Sequence, residues 1–368
     1  MKRVVLYIVL SSHIAGTEKH VLDLMNGIKK NAVFEPVLIA YPGSFIKQAS
    51  DNDIECYAVQ DNKVTILYQL YKVIKKVHPS IVHAHLGKSG LYGRLAAFFA
   101  RVPVILYTDH AWAQKNVDLS VLGNFFHIIV YRWLSKITNK IIAVSVPVEQ
   151  YLLTDVKIPR ERLICIENGV DSMTFSINNK KIKSRNSSVT FLCVGRLEKE
   201  KNQICLLLAA KELIKKGYKF KISIIGDGSQ KESLYSFCKN NKMLSQIKFF
   251  GYISNEYLKD FYSNSDVLIL PSLRETFGLV LLEAMACYCP CLASDVGGIP
   301  YIVRDGVNGY LFHSDDYKNL AEKMEFIITH KDIIPKLAQN ARNIVCRDFS
   351  LDKMVRKTEK VYIEELKK

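Results

Sequence analysis

The chain has 368 residues, more than a single hydrophobic core ordinarily organises and suited to two domains. With 49% hydrophobic and 24% charged residues, 18 Gly and 10 Pro, it is neither collagen-like, low-complexity nor largely disordered. Its formal net charge of +15 calls for an anionic partner, whether nucleic acid, a phosphorylated ligand or an acidic membrane surface.

The first element follows Lys2 and Arg3 directly. Residues 4–10 form an apolar run that leads into a helical pattern with no cleavage site, so it reads as a buried first strand and not a signal peptide. No apolar stretch approaches the ~20 residues of a membrane span. The nearest, 119–134, is interrupted by Asn124, His127 and Arg132 and reads as a packed helix. Nine cysteines, an odd number without a Cys-x-x-Cys pair, point to a reduced, cytoplasmic protein. Cys287, Cys289 and Cys291 alternate without accompanying histidines and read as small buried hydrophobes, not zinc ligands.

Short β-branched apolar runs alternate with amphipathic stretches throughout. Strands are predicted at 3–10, 35–41, 54–59, 80–84, 103–108, 140–144 and 162–166, then at 188–194, 220–225, 247–250, 266–270, 290–294 and 309–312. Helical patterns between them include 17–30, 65–78, 88–100, 202–216, 277–286 and 315–330. Such alternation implies α/β architecture with parallel sheets covered by helices. It breaks at 172–188, a polar, aperiodic segment read as a linker between residues 1–171 and 189–349. Residues 1–170 hold 20 basic and 13 acidic side chains, and the remainder 31 and 23, with Lys180, Lys181, Lys183 and Arg185 in the linker. Without a concentrated basic block, nucleic-acid binding loses its motive. Two facing parallel-sheet domains would form a cleft lined by strand carboxyl ends, where such sheets bind ligands.

The chemistry-bearing motifs fall at those ends. In VGRLEKEKN, Gly195 closes a strand and Arg196 and Lys201 flank the start of the next helix, a diphosphate site that needs no metal. In RETFGLVLLEAMA, Glu275 and Glu283 lie eight residues apart, ~12 Å along a helix axis. That exceeds the ~5–9.5 Å of a glycosidase acid–base pair, so they would grip opposite ends of a long ligand. Glu283, in an apolar run, needs a hydrogen-bonding partner if buried, which ribose hydroxyls or a nearby cation would supply. Gly226 and Gly228 allow either close approach to a nucleotide or a tight turn. Gly16 opens the helix after the first strand. His110 follows another strand, placed to donate a hydrogen bond or hold a proton near neutrality, and His83 and His85 are weaker candidates. Asp51-Asn52-Asp53 is a D-x-D on the amino side of a strand and reads as a turn. No other carboxylates suggest a hard-metal cage, so no metal or cofactor is expected.

Taken with AGTEKHV, IIAVS, IENGVD, IIGDGSQKESL and the long PSLRETFGLVLLEAMACYCPCLASDVGGIPYIVRDGVNGYLF segment, these motifs resemble the retaining nucleotide-sugar glycosyltransferases of family four, of GT-B fold. The likeness spans nearly the whole chain in the right order. It implies two Rossmann-like domains, the first on the acceptor side and the second holding the nucleotide-sugar, with helix 350–368 crossing back to the first. By position it implies that Arg196 and Lys201 hold the donor diphosphate, Glu275 sits by the sugar and Glu283 binds ribose. Backbone N–H groups of Phe277, Gly278 and Leu279 would touch sugar and phosphate. Gly16 would admit the phosphates, and His110 would face the sugar across the cleft. Ala15, Tyr288 and Tyr301 depart from the family pattern, Tyr288 at a position commonly glycine. The expected activity is a metal-independent, hexosyltransferase-type transfer from a nucleotide diphosphate-sugar to a hydroxyl, with configuration retained. The expected acceptor is a lipid-linked saccharide of a bacterial surface polysaccharide (O-antigen or capsule), met by peripheral contact with the anionic inner face of the cytoplasmic membrane. The alternatives are a non-hydrolysing nucleotide-sugar epimerase of the same fold, which lacks the E-x7-E segment, and a basic nucleic-acid-binding protein.

Overall fold

The computed structural model describes residues 2–110, 121–172, 175 and 188–368. Most of the 172–188 linker, with its basic residues, and the start of the 119–134 stretch lie outside the described residues. The chain forms two compact units, one of Met1–Gly169 with Leu351–Lys368 and one of Val170–Ser350.

In the first unit seven strands are β1 (Arg3–Val9), β2 (Phe34–Ala40), β3 (Glu55–Ala58), β4 (Ile81–His85), β5 (Val104–Asp109), β6 (Lys140–Ala143) and β7 (Leu163–Cys165). They form one parallel sheet in the order β3-β2-β1-β4-β5-β6-β7. The apolar run after Arg3 is thus a central strand. Both of its faces are covered, which explains why Val5 to Val9 are all apolar and fully buried instead of alternating. The following helix, Gly16–Asn31, buries Val21, Leu24, Met25 and Ile28, an i, i+3, i+4, i+7 face. Glu18 accepts from the Ala15 amide at 3.0 Å at its start, and Lys29 and Lys30 complement the dipole at its end. The final helix, Leu351–Glu365, packs against this one, and Asn31 Nδ2 donates to Glu359 Oε2 at 2.7 Å.

In the second unit the strands are β8 (Val189–Val194), β9 (Phe220–Ile225), β10 (Ile247–Phe249), β11 (Val267–Leu270), β12 (Cys291–Ser294) and β13 (Gly309–Phe312). Their order is β10-β9-β8-β11-β12-β13, again all parallel. Two apolar clusters cover its faces, one under the helices Gln203–Lys215 and Tyr317–Thr329, the other under Leu279–Ala286 and Ile334–Asp348. Cys287, Cys289 and Cys291 belong to the second cluster as buried thiols outside any disulfide, and burial raises the Cys287 thiol to about 12. The 277–286 helix begins two residues later than its apolar pattern suggests, because Gly278 caps it in a left-handed conformation and leaves Phe277 in the loop. Tyr288 does adopt left-handed φ, at 57°, a strain of ~1–2 kcal/mol for a side-chain-bearing residue. The Arg342 guanidinium lies 5.6 Å from its ring centroid. Asp51 ends the helix Ser44–Asp51, and Asn52 and Asp53, the latter also at positive φ, turn the chain into β3, so the D-x-D closes a helix into a turn. Among the described residues no helix is long and apolar enough to cross a membrane.

Candidate functional site

Strand order decides where each sheet can bind a ligand. Loops leaving neighbouring strands toward opposite sides open a crevice at the carboxyl edge. In the second unit this switch lies between β8 and β11. VGRLEKEKN leaves β8 and PSLRETFG leaves β11, so the two strongest sequence motifs meet there.

Their meeting point is an ion pair. Lys201 Nζ lies 2.5 Å from Glu275 Oε2, with side chains only 19% and 14% exposed. Ser272 Oγ donates to the same oxygen at 3.5 Å, and the Leu273 amide donates to Glu200 O at 2.8 Å, tying one loop to the other. Arg196 is largely exposed and pairs with Glu200 at 2.7 Å, while Gln203 Nε2 holds the Arg196 carbonyl at 2.9 Å. The structure therefore gathers Arg196, Lys201 and Glu275 in one place and leaves the guanidinium open to solvent. Lys201 ends a short 3-10 turn before Asn202, whose left-handed backbone starts the helix and whose Nδ2 donates to Asp315 Oδ1 at 3.0 Å.

Gly226 follows β9, and a Cβ there would stand 1.9 Å from the Gly195 carbonyl oxygen. Of the two readings offered for Gly226, the observed neighbour is the chain itself: its bare backbone lets the loops after β8 and β9 touch. Gly228 lies against the Leu197 carbonyl in the same way. Glu283 sits inside helix Leu279–Ala286 and is 5% exposed. One partner is the Tyr262 hydroxyl, which donates to Oε2 at 2.7 Å. Phe277 is buried in the apolar core, and Gly278 and Leu279 present the first N–H groups of the helix.

In the first unit the switch lies between β1 and β4. Gly16 is the first residue of the helix after β1, and His85 ends β4. His110 follows β5, with its Nε2 3.1 Å from His85 Nδ1 and its ring 4.8 Å from that of His20. Burial, with His20 and His83 nearby, holds His110 well below the usual histidine range. That environment favours the neutral ring, whose two nitrogens donate and accept hydrogen bonds. His83 is fully buried between Tyr362 and Thr108, each at 2.7 Å, and Tyr7 extends the chain to Tyr362 at 2.9 Å. Among the described residues the group able to hold a metal is His20, His85 and His110, with one ligand atom of each within 4.8 Å of the others.

Several residues of these sites carry no isolated sequence signal. Tyr262 and His20 meet neighbours remote in sequence, and Ser272 meets Glu275 three residues on. Gly297 and Gly298 had one, an adjacent glycine pair in DVGGIP. The Gly298 amide donates to the Glu275 carbonyl at 3.0 Å, and a Cβ at Gly297 would stand 1.9 Å from that oxygen. This pair braces the loop that carries Glu275.

Residues 14–173 match the family described as Glycosyltransferase Family 4, and residues 175–344 match Glycosyl transferases group 1. An Escherichia coli UDP-Gal:alpha-D-GlcNAc-diphosphoundecaprenol alpha-1,3-galactosyltransferase is 28% identical over 312 residues, 81% of this chain and 79% of that protein. An uncharacterized glycosyltransferase of Methanocaldococcus jannaschii is 30% identical over 307 residues, 82% of this chain and 81% of its own. The crystal structure of Anabaena Alr3699/HepE in complex with UDP-glucose superposes with a TM-score of 0.85 at 20% identity, covering 98% of this chain and 99% of that one.

Proposed function

The chain belongs to glycosyltransferase family four, with the GT-B fold, and on that premise we propose that it transfers a hexose from a nucleotide diphosphate-sugar to a lipid-linked saccharide, with retention and without a metal. The observation that carries the donor half is the Lys201–Glu275 pair beside Arg196 at the switch point of the second sheet. As the sugar–phosphate bond breaks, negative charge grows on the departing diphosphate. Arg196 and the donors of Lys201 not used by Glu275 stabilise it electrostatically. Glu275 keeps the lysine in place and accepts from a sugar hydroxyl. The N–H groups of Gly278 and Leu279 add a fixed positive end for the phosphate. Glu283, held by Tyr262, receives the ribose, and the neutral His110 ring hydrogen-bonds a sugar hydroxyl. Gly16 lets the loop after β1 approach the phosphates.

The acceptor half rests on the name of the Escherichia coli relative, whose acceptor is a diphosphoundecaprenol-linked GlcNAc. The net charge of +15 suits peripheral contact with an anionic membrane. The test is donor turnover in Lys201→Ala and Arg196→Ala. Loss of a group that stabilises transition-state charge lowers kcat by ~10²–10³, and wild-type rates in both variants would sink the assignment. Isomerised donor, formed when no acceptor is present, would instead establish an epimerase.

A further inference from the structure

A cavity of about 200 Å³ opens at the carboxyl edge of the first sheet, and no histidine lines it. Tyr41 follows β2, Asp61 follows β3, and Lys88 lies in the first turn of the helix Gly87–Phe99 that follows β4. Their side chains converge: Tyr41 donates to Asp61 Oδ1 at 2.8 Å, and Lys88 Nζ reaches Asp61 Oδ2 at 3.4 Å. Lys63 and the Tyr92 ring line the same space, and buried Ile66 contributes an apolar wall.

Size and lining together select a ligand. The volume falls below the ~300–1,000 Å³ of pockets for drug-sized molecules, so it takes a single sugar ring and not a nucleotide. Tyrosine rings present apolar faces to the C–H side of a pyranose, with polar tips for its hydroxyls. One carboxylate and two ammonium groups accept from and donate to hydroxyls, and leave one positive charge over. That surplus favours an anion next to the sugar. We infer that this cavity binds the terminal sugar of the acceptor, with Tyr41 and Tyr92 flanking the ring and Asp61 accepting from hydroxyls, while the exposed Lys63 and Lys88 meet the adjoining diphosphate at its mouth. This rests on the lipid-linked acceptor proposed above and assigns its binding residues.

The test uses the full chain and three probes: the GlcNAc diphosphate ester of a medium-length alcohol, GlcNAc alone, and inorganic pyrophosphate. Binding is followed by ligand-observed NMR in the wild type, Asp61→Ala, Lys63→Ala and Tyr92→Leu, each checked for folding by thermal unfolding. The ester is expected to bind more tightly than either fragment and to weaken about tenfold in each variant, while UDP binds all four proteins alike. Ester affinity within twofold of wild type in the folded variants overturns the site. Pyrophosphate bound as well as the ester, and unaffected by Tyr92→Leu, reduces it to an anion site and overturns the saccharide assignment. Failure of UDP to bind the wild type would defeat the donor reading, and the ester titration would still decide the cavity.

Discussion

Replacing Tyr262 with Phe removes one oxygen from the middle of the second unit. The ring is fully buried and its hydroxyl donates to Glu283 at 2.7 Å, so solvent cannot replace the bond. Burial and the adjacent carboxylate hold the phenol well above its ordinary range, so it is a neutral donor near neutral pH. A hydrogen bond to a charged group contributes ~1.5–3 kcal/mol. For a unit of this size each kcal/mol shifts Tm by ~2–4 °C, so Tyr262→Phe should lower the melting of this unit by ~3–12 °C. Glu283→Gln supplies the internal control. Its amide oxygen still accepts from Tyr262, but as a neutral–neutral bond of ~0.5–1.5 kcal/mol, so Tyr262→Phe should lose roughly half its effect in that background. Thermal unfolding of the four proteins of this cycle, by circular dichroism, measures the coupling. A Tyr262→Phe shift below 1 °C, or an equal shift in both backgrounds, would show that the phenol is not what compensates burial of the glutamate. UDP affinity measured on the same four proteins should fall in Tyr262→Phe if a fixed Glu283 receives the ribose.

Gly297→Ala places a methyl 1.9 Å from the Glu275 carbonyl oxygen and forces φ of 53° on a side-chain-bearing residue, so kcat should fall at least tenfold while the sheet melts intact; unchanged kcat would release Glu275 from this brace. Burial lowers His20 to about 4 and His83 to about 3, so both are neutral when folded and protonate near ~6.5 when unfolded. Their contribution is therefore complete above ~6.5 and drains away as pH falls through ~6.5 toward 4 and 3. His20→Gln should flatten the stability slope between pH 6 and 4 by one proton, ~1.4 kcal/mol per pH unit, and an unchanged slope in urea titrations would contradict the burial account. Binding to anionic vesicles should weaken steeply between low and physiological salt, and absence of binding at low salt would remove the membrane contact.

Each predicted strand reappears within a residue or so of its ends, most plainly the central ones, because a parallel sheet covered on both faces favours apolar runs such as the one from Val4 to Leu10, and such a run is a local property of the chain. The partners of the functional side chains are not local. Lys201 and Glu275 are separated by 74 residues, and they meet only because β11 lies beside β8, which no periodicity reports. For the same reason the burial of Glu283 was legible from its apolar neighbours, whereas Tyr262, 21 residues earlier on helix Asn255–Asn264, was not. His110 shows the limit from the other side: its position after a strand was readable, but the direction of its pKa shift was not, because burial, His20 on helix Gly16–Asn31 and His83 on β4 reach it from elements remote in sequence. The two glutamates thereby acquire different chemistry from a single motif. Glu275, on a loop and bonded to an ammonium, can accept from a further donor such as a sugar hydroxyl, while an anion would draw on the ammonium and not on the carboxylate. Glu283, on a buried helix and bonded to a neutral phenol, keeps its orientation and can only receive. One spacing of eight residues thus supplies one responsive carboxylate and one fixed one, a division set by strand order and not by the spacing itself.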